Sequence, residues 1–355
     1  MLTQVVPEKI QYKKAEMETK VIGIAGTAKN TGKTTTTNVI MEQIQRRKLN
    51  LGLTSIGYDG EDLDNVTGLP KPKIEVWPGV LVAAAEKCLE VSDAKIDVFE
   101  VTDISTPLGK IILGKVFRGG RLVVAGPNKS SELKKVLSKL RRYNLDFILV
   151  DGALNRIAPM VEVNGLILTT GAARKSKIID LAHETHCIVE IFNTELIQEQ
   201  GWFERIGSIL NTHAVEDLIS KMRHEDTVEI EGIIGEKSFS YLSKRISQLS
   251  DLKKKKIIFQ DPIKILVMGN AITTHKIINE LSSNGINLRV KKRSNIICVT
   301  VNPYYPKFRF NSEDYEEAFV DKDALRKAIE KSVTVNVYNV MEDGGEKIFE
   351  EILKE

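Results

Sequence analysis

Gly32-Lys33-Thr34 closes the stretch VIGIAGTAKNTGKTTTTNVI (Val21–Ile40) and is the residue set in this chain with the most demanding chemistry. Glycine lets backbone approach an anion closely, lysine brings positive charge, and a hydroxyl residue can ligate a divalent cation. Together they form the end of the phosphate-cradling pattern G-x-x-x-x-G-K-[ST]. The first glycine of that pattern belongs where Thr27 stands, and Gly26 precedes it, so the loop is one residue longer than the standard form. An apolar strand leads in and a helix start follows, where the helix dipole favours anions. The candidate contacts are Gly26, Thr27, Lys29, Asn30, Gly32, Lys33, Thr34 and Thr35, with Thr34 as a metal ligand and Thr35 at an inner phosphate. Thr36 and Thr37 read as early helix. The competing reading is a glycine-rich turn that only packs a helix onto a sheet.

A metal held by Thr34 needs a carboxylate from another strand. LDFILVDGALNR supplies one: four apolar residues end in Asp151-Gly152, which puts Asp151 at the carboxyl end of a strand, the edge where doubly wound sheets bind ligands. YDGEDLD adds Asp59, Glu61, Asp62 and Asp64. Asp59 is the best placed of these to ligate metal or orient a water, while an acidic turn capping a helix accounts for it equally well. Lys33, Asp59 and Asp151 are therefore the candidate catalytic residues, and Thr34 with Asp151 the candidate Mg²⁺ site.

These residues need a framework, and composition permits one. At 355 residues, 42% hydrophobic and 28% charged, the chain falls in the ordinary globular range and is long enough for two domains. Lys plus Arg (51) nearly balances Asp plus Glu (48), so the net charge of +3 gives no support to nucleic-acid binding. Cys88, Cys187 and Cys298 are widely spaced and odd in number, which reads as reduced core cysteines in a cytoplasmic protein. The polar N-terminus predicts no secretory leader, and no apolar run approaches membrane-spanning length.

Alternating apolar runs and helical periods predict an α/β fold, with a P-loop domain of mostly parallel sheet flanked by helices and a second, smaller α/β domain. Expected strands in the first are KVIGIAG, LGLTSIGY, KIDVFEV, RLVVAG, DFILVDG, GLILTTG and CIVEIF. Expected helices are GKTTTTNVIMEQIQRRK, TPLGKIILGKVF, SSELKKVLSKLRRY and KSKIIDLAHETH. In SSELKKVLSKLRRY, Leu133, Val136, Leu137 and Leu140 form one buried stripe under a basic face. The expected boundaries are residues 1–200 for the nucleotide-binding domain, 201–225 for a helical linker and 226–355 for the C-terminal domain. The strands IICVTVN and VTVNVYNV are assigned to the C-terminal domain.

Two resemblances follow from these motifs. GTAKNTGKT, with its Gly-Thr start and five-residue gap, resembles the loop of dethiobiotin synthetase and its relatives in the ATPase class that includes MinD and Mrp-type proteins. LVDGALNRIAP resembles the strand and turn those enzymes place beside the phosphates, with Asp151 where the synthetase has Glu. The signature lysine of the MinD type corresponds to Ala28 here, with Lys29 beside it. The second resemblance runs over most of the chain. PGVLVAAAEKCL, FEVTDISTPLGKIILGKVF, VVAGPNKSSELKKVL, LVDGALNR, LILTTGAA and VTVNPYYP are similar to the accessory subunit grouped with lysine 5,6-aminomutase, a radical enzyme that uses adenosylcobalamin and pyridoxal phosphate. The resemblance implies an ATP- and Mg²⁺-dependent reactivating role in lysine degradation, with a MutS-like ATPase subunit and the aminomutase as partners. A stand-alone ATP-dependent ligase of the dethiobiotin synthetase or Mur-ligase kind is the first alternative, and a degenerate P-loop scaffold the second. Hydrolysis of ATP is left open.

Other residues have weaker claims. His183, His186 and Cys187 in AHETHC invite a metal reading, but the spacing differs from H-E-x-x-H and the segment is read as a helix end meeting a strand. Asp103, Ser105, Asn128 and Ser130 fall where strand ends are expected to meet helix starts, as cleft residues or as caps. VNPYYPKFRF (Val301–Phe310) is either a docking surface or a turn folded back on its own domain.

Overall fold

The computed structural model describes residues 18–57, 74–154, 157–311 and 313–355. From the N-terminal side the elements are β1 (Lys20–Gly26), α1 (Lys33–Arg46), β2 (Leu51–Ser55), β3 (Ile74–Val76), β4 (Leu81–Ala85), α2 (Glu86–Glu90), β5 (Lys95–Thr106), β6 (Gly109–Arg118), β7 (Gly120–Leu122), α3 (Ser130–Leu140), β8 (Phe147–Ala153) and β9 (Gly165–Gly171). Next come α4 (Ile178–Phe192), β10 (Glu204–Ile206), α5 (Thr212–His224), β11 (Thr227–Ile230), α6 (Glu236–Ile246), β12 (Lys255–Phe259), α7 (Pro262–Leu266), α8 (Ala271–Ser283) and β13 (Ile286–Val290). The last elements are β14 (Asn295–Asn302), β15 (Tyr304–Arg309), β16 (Asp314–Phe319), α9 (Lys322–Glu330), β17 (Val337–Asn339) and α10 (Val340–Lys354).

Contacts divide the chain into two units, and the larger is discontinuous. It runs to Ile178 and resumes with Ile297–Lys327 and Val335–Glu355; the smaller comprises Ile179–Ile296 and Ala328–Thr334. The division differs from a linear one at 200 and 226. The stretch 201–225 carries β10 and all of α5 of the smaller unit, and β14, β17 and α10 return to the larger. IICVTVN and VTVNVYNV look like strands of whichever domain is nearest in sequence; pairing alone sends them back to the first sheet.

The larger unit is built on a nine-stranded sheet in the order β17-β14-β9-β1-β8-β2-β4-β6-β5. Strands β9, β1, β8, β2 and β4 pair in parallel, and β4, β6 and β5 antiparallel. Central strands buried on both faces must be apolar throughout, and Val21, Ile22, Ile24, Ile148, Leu149, Val150, Leu166, Ile167 and Leu168 are all nearly inaccessible. α3 buries Leu133, Val136, Leu137 and Leu140 as its periodicity predicts. At about 1.5–3 kcal/mol for each fully buried aliphatic side chain, this one stripe is a substantial anchor for the helix.

Two apolar runs adopt the opposite secondary structure from the one expected. TPLGKIILGKVF is a strand, β6, because Gly109 (φ 97°) turns the chain into a hairpin and Gly114 meets β5 closely. A Cβ on Gly114 would lie 2.4 Å from Ile96 Cγ2 and 2.8 Å from the Asp97 carbonyl. CIVEIF is the second half of α4, buried on most of its circumference, so its unbroken apolar run hides the helical period. RLVVAG contributes only Arg121 and Leu122, to the short strand β7.

α10 packs on α1. Gly345 lies against the α1 backbone, where a Cβ would sit 2.4 Å from the Val39 carbonyl oxygen. The Arg47 guanidinium lies 4.7 Å from the Phe349 ring centroid, and Phe147 meets the same ring at 5.3 Å. Lys20 Nζ donates to the carbonyls of Ile352 (3.2 Å) and Leu353 (3.1 Å), satisfying acceptors that the end of a helix leaves open. The last helix is thereby fastened to both the first strand and the first helix.

The smaller unit has a four-stranded sheet, β10-β11-β12-β13, parallel throughout. Val228, Ile257 and Leu288 share one cross-strand row and are buried, while Arg205, Glu229 and Arg289 occupy the next. Glu229 is buried there against Lys291 Nζ (2.6 Å) and Arg205 Nε (3.4 Å), which offsets the cost of removing its charge from water. Among the described residues no helix is long and apolar enough to cross a membrane.

Two outcomes test this packing. Gly345→Ala should lower stability by about 1–3 kcal/mol because backbone cannot yield as a side chain would, whereas Gly207→Ala, which meets nothing within 4 Å, should stay within about 0.5 kcal/mol of wild type in urea unfolding. All three cysteines are buried, and burial pushes the Cys88 thiol up to about 11 and the Cys298 thiol higher still. A thiol reagent should therefore leave the native protein nearly unlabelled and titrate three thiols after denaturation.

Candidate functional site

Strand register assembles the site before any side chain does. Ile24 of β1 lies beside Asp151 of β8, and Gly26 beside Thr169 of β9, so three carboxyl ends finish at nearly the same level. From Gly26 the chain crosses toward β2 on one side of β1; from β9 it continues to strands on the other side. Connections that diverge from adjacent parallel strands leave a crevice between them at their carboxyl ends.

Threonines tie the loop to that edge. Thr27 N donates to the Thr169 carbonyl (2.9 Å) and Thr27 Oγ1 to Thr170 Oγ1 (3.0 Å). Thr31 Oγ1 donates to the Ala28 carbonyl (2.9 Å) and lies 3.3 Å from Thr169 Oγ1. All four threonines are buried. Hydroxyls that both donate and accept can satisfy one another where water is excluded, which accounts for polar residues at the ends of otherwise apolar strands.

Beyond this base the loop turns through two left-handed residues, Asn30 (φ 62°) and Gly32 (φ 89°). Gly32 is the residue before α1 and has no side chain with which to cap it, and the first turn, Lys33-Thr34-Thr35, carries no acid. The initial N–H groups of α1 are thus directed at the loop mouth with the positive end of the helix dipole. Thr36 and Thr37 are structural: Thr36 Oγ1 lies 3.1 Å from Thr300 Oγ1, and Thr37 Oγ1 donates to the Lys33 carbonyl (3.1 Å). Thr34 and Thr35 remain half-buried on the same turn.

Lys33 Nζ lies 3.3 Å from Asp151 Oδ2, with each side chain only 12% exposed. The Asp151 carbonyl accepts from Ile56 N (2.7 Å), which holds β8 against the segment following β2. Gly152 allows Met160 to close in behind, since a Cβ there would meet Met160 Cε at 2.7 Å. The donor set at this point is one ammonium, one carboxylate, two threonine hydroxyls and a helix N-terminus. That set fits a phosphate carrying a hard divalent cation, for which Thr34 and Asp151 would be the oxygen ligands.

The other candidates divide. Gly26, Thr27, Asn30, Gly32, Lys33, Thr34, Thr35, Asp151 and Gly152 all belong to this cluster of strand ends and loop, and Lys29 stands exposed within the loop. Asp59 lies outside the described residues, as do Glu61, Asp62 and Asp64. Asp103 and Ser105 do not reach the site: they are exposed on β5, the far edge strand, because the helix expected after them is a strand. Ser130 Oγ donates to the Ala158 carbonyl (3.2 Å) at the start of α3. His183, His186 and Cys187 lie within α4 rather than at its end. His186 Nδ1 donates to the Ser332 carbonyl (2.6 Å), and Cys187 is buried. Among the described residues no group of three or more His, Cys, Asp or Glu is arranged to hold a metal.

One residue of the cluster escapes the motif search. Asn302, the last residue of β14, donates from Nδ2 to the Asn30 carbonyl (2.8 Å), and its Cβ lies 3.4 Å from where a Gly32 Cβ would be. It supports both left-handed residues of the loop. The available signal was a shared pattern: LVDG, LTTG and VTVN each end an apolar strand in a polar group, and in a sheet with parallel neighbours such ends gather on one edge.

No protein-family model matches the chain, and no curated protein matches it. Among solved structures it is similar to the MinC:MinD cell division protein complex of Aquifex aeolicus, at 12% identity and a TM-score of 0.28 over 94% of this chain and 95% of that one. It is also similar to pNOB8 ParA bound to nonspecific DNA, at 13% identity and a TM-score of 0.26 over 75% of this chain and 98% of that one. These likenesses are remote, and the reading of the site rests on its own geometry.

Proposed function

We propose that the loop from Gly26 to Thr35 binds the phosphates of a Mg²⁺-nucleotide, with ATP as the first nucleotide to test. The observation that carries this reading is the Lys33–Asp151 pair, 3.3 Å apart where the carboxyl end of β8 meets the start of α1. A lysine there can follow phosphate charge. Asp151 and Thr34 are the residues that would hold the cation, which when bound neutralises phosphate oxygens and fixes their geometry. The chain's own contribution is to position: the α1 N–H groups face the anion, Gly32 keeps the backbone close, and Asp151 keeps the Lys33 ammonium at the loop.

The finer role we propose is that of a reactivating subunit for an adenosylcobalamin-dependent aminomutase of the lysine 5,6-aminomutase type, acting with a partner ATPase. Its support is the sequence resemblance. A radical enzyme blocked by damaged cofactor needs its site opened, and nucleotide that binds two conformations unequally can shift such an equilibrium.

Calorimetric titration with Mg-ATP and Mg-GTP tests the first step. Lys33→Ala should weaken the preferred nucleotide by about 2–3 kcal/mol, roughly 30- to 150-fold, the scale of a charge-assisted contact. Asp151→Asn should weaken binding in Mg²⁺ far more than in EDTA, since it removes a cation ligand. Unchanged affinity in Lys33→Ala sinks the site assignment. For the finer role, addition of inactivated aminomutase and its partner ATPase should alter nucleotide turnover or affinity. Turnover that responds only to a carboxylic acid substrate would identify a ligase instead.

A further inference from the structure

Asn302 connects the loop to a second structure, the hairpin of β15 and β16. Three of its polar groups are engaged at once: Nδ2 on the Asn30 carbonyl (2.8 Å), the backbone carbonyl accepting from Ala172 N (2.9 Å), and Oδ1 accepting from Tyr304 N (3.2 Å). Tyr304 is the first residue of the hairpin, and the Pro303 carbonyl accepts from Val320 N (3.0 Å) where the hairpin ends. Both strands of the hairpin therefore root within a residue or two of Asn302.

Among the described residues the hairpin pairs only with itself, from Tyr304–Phe319 to Arg309–Asp314. Tyr304 contacts Phe319 (centroids 5.7 Å), and Phe308 contacts both Tyr315 (5.2 Å) and Phe310 (5.1 Å). Phe310 and Phe319 are mostly exposed. An isolated two-stranded hairpin is marginal in water, so small changes at its root shift its order.

The geometry of one peptide joins the two ends of this connection. In the planar trans peptide between Asn30 and Thr31, the carbonyl and the N–H point in opposite directions. By holding the Asn30 carbonyl, Asn302 aims the Thr31 N–H away from itself. Asn30 keeps a left-handed backbone (φ 62°) that side-chain-bearing residues rarely adopt, so its conformation depends on such support.

We infer that Asn302 is a positioning residue which couples phosphate binding in the loop to the order of the aromatic hairpin. An anion that engages the Asn30–Thr31 peptide fixes its orientation, which tightens the Asn302 amide on one side and the hairpin root on the other. The coupling is reciprocal: whatever steadies the hairpin strengthens binding in the loop. The inference rests on the proposed nucleotide reading of the loop.

Asn302→Asp separates the two contacts, because a carboxylate keeps an acceptor for Tyr304 N but loses the donor to Asn30. Hydrogen exchange of the β15 and β16 amides, measured with and without Mg-ATP and with binding followed by calorimetry in the same samples, reads the coupling. In wild type, Mg-ATP should slow hairpin exchange by about three- to ten-fold, the scale of one net hydrogen bond. In Asn302→Asp, hairpin exchange without nucleotide should match wild type, nucleotide affinity should fall, and the residual binding should leave the hairpin unaffected. Asn302→Ala should speed hairpin exchange even without nucleotide. Nucleotide binding to wild type with no change in the hairpin overturns the coupling and leaves the nucleotide reading intact, as does an Asn302→Asp protein whose hairpin still responds. No nucleotide binding by wild type overturns both.

Discussion

Everything at the candidate site depends on the parallel pairing of β1 with both β8 and β9. A parallel ladder fixes which residues end level with one another, and here it sets Ile24 beside Asp151 and Gly26 beside Thr169. A shift of one residue in either pairing would turn Asp151 to the opposite face of the sheet or part Thr27 from Thr169. Apolar residues fill both faces of these strands, so register is fixed by the core and not by the polar groups it places. The polar groups are arranged at no further cost in packing. They stand at strand ends, where a hydrophobic residue would have gained little.

The loop above them combines rigid support with local strain. Two left-handed residues in three positions are unfavourable for an isolated peptide, and one of them, Asn30, is not glycine. Buried threonine contacts on one flank and Asn302 on the other hold the turn open. Openness matters electrostatically. A helix start capped by its own serine or aspartate satisfies its first N–H groups locally, whereas a glycine start leaves them directed outward.

Legibility in the sequence followed physical locality. The strand, loop and first helix could be read because their signals lie within twenty consecutive residues, and Asp151 because an apolar run ending in a carboxylate at a strand terminus is itself a local pattern. β6 and the second half of α4 could not be read. Both are buried on more than one side, and a continuous apolar run carries no period to distinguish helix from strand. Gly109 and Gly114 argue against a helix in TPLGKIILGKVF, since each marks a turn or a close approach that an amphipathic helix has no use for. Asn302 was missed for a different reason. Its role exists only after β14 has come back beside β9, and no window along the chain contains both it and Asn30, 272 residues earlier.

The return of β14 also orders events during synthesis. A nascent chain that has emerged as far as β9 possesses the lysine, the carboxylate and the threonines, but not the strand that supports the loop's left-handed residues. Most of the smaller unit, residues 179–294, must leave the ribosome before that strand appears, and α10, which fastens α1 to β1, emerges later still. Sheets completed by such distant partners fold slowly, because the loop must close before its contacts repay the entropy. Maturation of the loop is thus linked to synthesis of β14, so a polypeptide released before Asn302 carries the motif without the support that shapes it.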